Sequence, residues 1–596
     1  MYTVPEERDG EPSANSRRQF LAAFAGVGAL GTSGALLPGV LWAKMEEAGT
    51  QKITPAMLEA AAAVAGLVFT TDELAAMLQA VTQNLERYAA IRATPIPDDV
   101  APPFYFSPLV SGMRVNRIRS PFKVSKLPTI KRPTNLEHVA FWPVTYLAAL
   151  LKSRQVTSVE LTQMYLGRLK QYNPKINCVV TLLEEYALGE ARRADAEISS
   201  GLYKGLLHGM PWGAKDIIAV KGFKTTWGSG AYVDQEFDHD ASIVTILREA
   251  GAVLLAKLTT GELAGGDQWF GGRTNNPWNL NEGSSGSSAG SASATAAGLV
   301  PFAIGTETGG SILSPSARCG ATGLRPTFGR VSRTGVMALS WTQDRLGPIC
   351  RHVEDCAVVM NVIAKPDGKD LSVSDIPFNW DAQRHFKSLR VGFLDEAFAD
   401  SDRNAEWAAN DARTLAKLRE MGVQLVPVKV PEFPIDVLSV SVEAAVFFDN
   451  LLRSGRHTLL TAKTKADRFR VSRMIPAVEY LQSQRMRAMM MQKLADATAN
   501  VDVYLAPSTN GNPRAGGADG PASVATPAPP ANFTQKHSQM ANLACYPGLA
   551  LPNGFTSAGT PTSINFMARP FGEAELLTLA KAYQDATDFN LKQPMI

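Results

Sequence analysis

Between Ile53 and Arg92 the apolar residues recur at helical spacing in two blocks. Thr54-Pro55 supplies a cap followed by proline at the first helical position, and the alanine-rich run it opens ends near Gly66. Thr70-Thr71-Asp72-Glu73 forms a capping box, after which Leu74, Met77, Leu78, Val81 and Leu85 share one face. The proline-rich stretch "TPIPDDVAPPFYFSP" then predicts an extended connection. From about His138 the pattern changes. "VTYLAALLKSRQVTSVELTQMYLGRLKQYNP" predicts two amphipathic helices, the second capped by Thr157 with Glu160 and ending before Asn173-Pro174. Beyond it, short apolar runs alternate with helical segments. "INCVVTLL", "GMPWGAKDIIAV", "AVLLAKL", "LRVGFLD" and "VDVYLAP" predict strands, whereas "ASIVTILREAG" and "DARTLAKLREMGV" predict helices. That alternation predicts an α/β domain with a largely buried sheet over residues 138–596. Residues 46–137 are expected to be a small helical extension packed on that domain, without chemistry of its own.

The first 45 residues do not fit either unit. Arg17 and Arg18 stand in the order Ser-Arg-Arg-x-Phe-Leu, and an uncharged, Gly- and Ala-rich run follows from Gln19 to Ala43. This is the layout of a twin-arginine export signal, with cleavage expected near Ala43. The run is also about long enough to serve as a membrane anchor. The export reading predicts a bacterial periplasmic or secreted protein that is not an integral membrane protein after cleavage.

Composition narrows the function classes. A hydrophobic fraction of 45% and a charged fraction of 19% are those of a globular chain with a substantial core. The net charge of +3 comes without a basic block, so no nucleic-acid partner is expected. No internal repeat is visible. The five cysteines form no CxxC and the seven histidines no HExxH, so no metal site is signalled and buried free thiols are expected.

The stretch "EGSSGSSAGSASATAAGLVPFAIGTETGGSIL", Glu282–Leu313, opens like a flexible tether. It runs directly into Ala294–Ile304, whose composition predicts a buried helix and then a strand. The glycines and serines therefore lie inside the domain. In "GTETGGSI", Gly309 and Gly310 permit a tight turn that aims successive N–H groups into one concavity, and Ser311 closes the turn. A serine placed there can attack a carbonyl while those N–H groups hold the oxyanion. The sequence offers no histidine in a readable triad motif. Lys215, in "HGMPWGAKDIIAV", is the remaining base: a lysine desolvated among apolar residues loses proton affinity. Pattern alone is equally compatible with a lysine reaching solvent from a strand edge. Asp216 is expected on the opposite face.

Taken in order, "GAKDI", "TNNPWN" (Thr274–Asn279), "GSSGSSAG" (Gly283–Gly290), "GTETGGSI", "GLRPTFGRVSRTGV" (Gly323–Val336) and "DRLGPICR" (Asp344–Arg351) resemble the amidase signature family of serine hydrolases. The resemblance implies a large mixed central sheet covered by helices on both faces. It also implies a Ser-cisSer-Lys triad: Ser311 as nucleophile, Ser287 as the bridging serine and Lys215 as the base. Ser285 and Ser288 fall out of that register, Ser288 by the least. The main-chain N–H groups of Thr308, Gly309, Gly310 and Ser311 would form the oxyanion hole, and neither metal nor cofactor is required.

Two departures concern the substrate. Glu307 stands where many members of the family have aspartate, and Leu313 or Ser314 where many have an arginine. Without that cation a neutral or apolar acyl group is expected. The "GTET" form and exported setting resemble bacterial peptide amidases; aryl acylamidases, carbamate hydrolases and other amide hydrolases fit as well. Trp269, Phe270 and Trp341 are candidates for the acyl pocket, equally placed to be structural, and loops 430–480 and 511–534 are expected to shape it. The expected partner is a small-molecule amide, the chain acting as a monomer or homodimer. Two other readings are an A-type amidotransferase component working with partner chains, which an export signal argues against, and a non-catalytic binding protein on a hydrolase fold. Cys319 and the methionine run at 486–491 are expected to be packing residues.

Overall fold

The computed structural model describes residues 53–94, 96, 100, 102–433, 437–511 and 532–596. The expected export signal and most of loop 511–534 lie outside the described residues. The chain divides into two compact units, residues 1–95 and 96–596. In the smaller, Thr54 caps the helix Pro55–Val64, and the capping box of Thr70 and Glu73 opens the helix Thr71–Ala93. Leu58 and Leu74 are its buried apolar residues among those described. The extended connection after residue 95 belongs to the larger unit.

The larger unit is built on one sheet of eleven strands. In chain order they are β1 (Val179–Leu182), β2 (Pro211–Lys215), β3 (Val253–Leu258), β4 (Ala303–Glu307), β5 (Thr322–Arg325) and β6 (Arg345–Cys350), followed by β7 (Val391–Phe393), β8 (Leu425–Pro427), β9 (Val503–Pro507), β10 (Gly548–Phe555) and β11 (Pro561–Ala568). Across the sheet the order is β1-β3-β2-β4-β6-β5-β10-β11-β9-β7-β8. The β3-β2-β4 and β9-β7-β8 neighbours are parallel, and the others antiparallel. Every residue of β2, β3, β4 and β6 is buried, as in a sheet whose two faces are both covered. This is the large mixed sheet that the motif order implies.

The helix opened by Thr157 does not stop before Asn173-Pro174 but runs from Ser158 to Ile176, with Pro174 in its last turn. Proline there forfeits one N–H bond, and the end is secured instead by asparagines. Asn177 takes a left-handed conformation (φ 57°) and donates its N–H to Asn173 O at 2.7 Å. The Asn173 side chain accepts the N–H groups of Cys178 and Val179, turning the chain into β1. All five cysteines are free and buried. Met490 and Met491 are buried in the helix Ala477–Ala497, whereas Met489 is exposed. No helix among the described residues is long and apolar enough to cross a membrane.

Candidate active site

Lys215 is the last residue of β2, and its amine is met by the neighbouring strand β4 and by the serines that precede the helix Ala289–Ala296. Parallel pairing sets Ala214 beside Ile304 of β4, which brings Thr306, two residues on, to the lysine. Lys215 Nζ donates to Ser287 Oγ at 2.8 Å, Thr306 Oγ1 at 2.8 Å and Ser288 Oγ at 3.1 Å. The side chain is fully buried. Burial pushes its pKa from 10.5 down to about 7, against the pull of Asp344 and Glu307, neither of which forms an ion pair with it. The alternative of a solvent-reaching strand-edge lysine does not apply. Asp216 points away, as expected for the next strand position, and pairs with Lys257 at 2.7 Å.

Ser287 and Ser288 differ in what else they bind. Ser288 Oγ donates to Thr306 O and accepts the Thr306 N–H, both at 3.1 Å, which ties the start of the helix Ala289–Ala296 to β4. Ser287 Oγ has Lys215 alone as its partner among the described residues. The Gly286–Ser287 peptide is cis. Ser285 Oγ is engaged with Ser314 Oγ at 2.9 Å. Gly286 and Gly290 are required by space: a Cβ on the first would collide with Gly266 O, and on the second with Cys178 O and Thr259 N. The tether-like stretch is thus closely packed backbone.

After β4 the chain turns through Thr308–Ile312. Gly310 has φ 126°, accessible to glycine alone in practice. The N–H groups of Gly309, Gly310 and Ser311 donate to no protein acceptor among the described residues. The next two, of Ile312 and Leu313, donate to Glu307 Oε2 at 2.7 and 2.9 Å. Glu307 is buried; desolvation opposes its charge, but Arg325, 2.7 Å away, and Arg345 hold its pKa below the ordinary value. This carboxylate therefore fixes the far side of the turn and leaves the near N–H groups open. Ser311 is partly buried, and its carbonyl accepts the Ser288 N–H at 3.1 Å.

A cavity of about 560 Å³ reaches this site at Thr306 and Thr308. Its walls carry Trp227, Phe237, Phe328, Trp341 and Phe447. Trp341 therefore lines it. Trp269 and Phe270 do not: they pack edge to face on a small hairpin, with the Trp269 indole lying over Gly271. Residues 430–480, expected to be a loop, are largely helical (Ser439–Phe447, Asp449–Arg453 and Lys463–Ser472), and Phe447, the last residue of the first of these helices, is their contribution to the cavity. Asp344, whose role no local pattern betrays, also faces the cavity. Burial raises its pKa, against the Thr308 hydroxyl at 2.5 Å and the N–H groups of Ser340 and Leu339. Thr306 is likewise invisible in the sequence, because its contact with Lys215, 91 residues away, depends on how two strands pair. Cys319 is buried and its thiol pKa is pushed up by desolvation, which suits packing rather than attack.

The family model for Amidase matches residues 160–577, the span containing all of these groups. The chain belongs to the amidase family. The A-type chain of the glutamyl-tRNA(Gln) amidotransferase from Thiobacillus denitrificans is 35% identical over 482 residues, covering 75% of this chain and 98% of its own. The solved structure of native peptide amidase from Stenotrophomonas maltophilia matches with a TM-score of 0.63 and 28% identity over 76% of this chain and 98% of that one. A 6-aminohexanoate cyclic dimer hydrolase matches with a TM-score of 0.67 and 25% identity, over 76% and 99%. This amidase-family chain is thus similar over about three quarters of its length to both hydrolases and an amidotransferase component.

Proposed function

We propose that the protein hydrolyses a carboxylic amide through an acyl-enzyme on Ser311, with Ser287 and Lys215 as a proton relay. The observation that carries this reading is a buried lysine with no ion-pair partner, hydrogen-bonded to a serine whose hydroxyl has no other partner among the described residues. Neutral Lys215 takes a proton from Ser287, Ser287 takes one from Ser311, and Ser311 Oγ bonds to the acyl carbon. The open N–H groups of Gly309, Gly310 and Ser311, with that of Thr308, would receive the developing oxyanion; one such donor is typically worth about 10²–10³ in rate. The relay then returns a proton to the leaving nitrogen as the C–N bond breaks. Water then bonds to the acyl carbon as its proton passes through Ser287 to Lys215; the Ser311 Oγ–acyl bond breaks, the relay returns that proton to Ser311, and the acid leaves with Lys215 neutral again. Ser288 suits the bridging role less, since the Thr306 backbone already occupies its hydroxyl in both directions. Asp344, Thr306 and Thr308 set one polar end of the cavity and Arg333, Lys369 and Asp370 add charge to its lining, while the apolar and aromatic side chains between them support a neutral or apolar substrate group.

The test is labelling by a fluorophosphonate, read as intact mass. One adduct is expected on the native enzyme, none on Ser311→Ala, and much slower labelling on Lys215→Ala. Equal labelling of Ser311→Ala would remove Ser311 from the mechanism. The second reading, an A-type amidotransferase component, is favoured by the 35% identity to that protein. Its signature is release of ammonia from glutamine that depends on partner chains; hydrolysis of simple amides by the chain alone argues against it. The paired arginines at 17 and 18 favour an exported hydrolase, and we place its action in the periplasm or outside the cell. Export of a reporter fused to residues 1–45, lost on Arg17→Lys with Arg18→Lys, tests that.

A further inference from the structure

The extended segment that follows the N-terminal helices is part of the cavity. Pro102, Phe104, Tyr105 and Phe106 all line it, together with Thr306 and Thr308 at its catalytic end. These four residues of the segment lie before position 160, where the family match begins. The segment is anchored rather than draped. Phe106 meets Phe328 edge to face at 5.3 Å, and the Arg487 guanidinium lies 3.9 Å over its ring. The same guanidinium donates to Thr342 Oγ1 and Thr342 O at 2.8 and 2.9 Å, so Phe106 is tied to the loop that carries Trp341. Phe106, Val110 and Met113 pack together against the cluster containing Met490, Met491 and Tyr504. Phe104 and Tyr105, by contrast, are 75% and 62% exposed, which is costly surface for two aromatic rings unless something covers them.

We propose that Phe104, Tyr105 and Phe106 form a specificity wall that receives an aromatic group of the amide substrate. This rests on the amidase reading above for the reaction, but not for the binding. About 560 Å³ is within the range of small-molecule sites, and Trp227, Phe237, Phe328, Trp341 and Phe447 give its walls further aromatic surface. An apolar ring entering it would cover Phe104 and Tyr105 while leaving its carboxamide at Thr308. A small aliphatic amide would reach the turn without touching the wall.

Binding and turnover separate the two claims. On Ser311→Ala protein, which holds substrate without consuming it, 4-phenylbutanamide is titrated against tryptophan fluorescence, with Trp227 and Trp341 as cavity reporters. Adding Phe104→Ala and Tyr105→Ala is expected to weaken this amide about five- to tenfold, as loss of aromatic contacts should, with little change for acetamide. Both side chains are mostly exposed, so this variant does not put folding at risk; Phe106→Leu, which keeps an apolar anchor, gives a second reading in the same direction. Unchanged affinity in both variants, equal weakening of the two amides, or no binding of 4-phenylbutanamide to the starting protein overturns the wall. Turnover of the same amide by the Ser311-containing enzyme tests the reaction separately. Binding without turnover removes the hydrolase reading and keeps the wall; turnover indifferent to Phe104 and Tyr105 does the reverse.

Discussion

Lys215 and Lys257 stand on adjacent parallel strands, both fully buried, and only Lys257 has a carboxylate partner. Pairing sets Lys257 beside Ala214, so the two amines leave the sheet on opposite faces. Lys257 Nζ meets Asp216 at 2.7 Å and Thr225 Oγ1 at 2.8 Å. Lys215 meets hydroxyl groups and the Thr306 carbonyl. Burial lowers the pKa of both amines, but on β3 a carboxylate opposes that effect by direct pairing, whereas on β2 only hydroxyl and carbonyl groups meet the amine.

The first prediction concerns pH. The base form of Lys215 is the neutral amine, and its pKa is about 7. Labelling of Ser311 by a fluorophosphonate should rise with pH through about 7 and level off above about 8. A rate independent of pH from 5 to 9 would remove Lys215 as the base. Lys215→Met should slow labelling by about 10²–10⁴, the usual worth of a positioned general base.

The same substitution should stabilise the fold. Between about pH 7 and 10.5 the unfolded chain holds a proton on this lysine that the folded chain does not. Unfolding is therefore assisted at the acid end of that window, and stability rises with pH across it. Lys215→Met removes this dependence. Thermal unfolding at pH 7 should move up by about 2 °C or more, and a lower midpoint would show that the amine is bound more favourably than its burial implies.

Lys257→Met should behave in the opposite way, because it strands Asp216 with hydrogen bonds from Thr226 but no cation. Removing one partner of a buried pair costs about 3–5 kcal/mol. Lys257→Met combined with Asp216→Leu should recover much of that loss in urea unfolding. No recovery would mean that the pair does more than cancel its own charges.

Glu307 holds the nucleophile turn by accepting two N–H groups and pairing with Arg325. Its folded pKa lies below the ordinary 4.5, so it contributes stability that is present above that value and lost as pH falls through the folded one. Glu307→Gln should shift the acid-unfolding midpoint upward and slow labelling. Glu307→Asp, one methylene shorter, should keep labelling within about tenfold of the native rate.

The two glycines before Ser311 should respond differently to alanine. A Cβ on either meets nothing within 4 Å, so neither substitution clashes. Gly310, at φ 126°, would be forced into a conformation costing about 1–3 kcal/mol. Gly310→Ala should therefore impair labelling through a re-aimed N–H, whereas Gly309→Ala should be mild. Equal effects would mean that the turn is set by Glu307 rather than by backbone freedom.

Local chemistry made much of this legible in the sequence. The Thr54, Thr70 and Thr157 caps sit where their spacing put them, since capping depends on three or four neighbours. The Gly309-Gly310-Ser311 turn was readable for the same reason. Thr306 was not, because its bond to Lys215 depends on how β2 and β4 pair across 91 residues. Of the three aromatic candidates for the cavity wall, Trp341 lines it and Trp269 and Phe270 do not, for a related reason. Trp269 is large and near the glycine-rich stretch in sequence, but Gly271 leaves a bare surface on which its indole folds back. Asp344 stood in a quoted motif; what was missing was its burial, which only the fold supplies.

The run Gly283–Gly290 has the vocabulary of a spacer and the clearance of a lock. Its residues are small because the carbonyls of Gly266 and Cys178 stand where side chains would be. An epitope, a protease site or a permuted terminus engineered into it should cost the enzyme its function at once. Poverty of composition here measures crowding, and the plainest stretch of the chain is the one with the least freedom to be anything else.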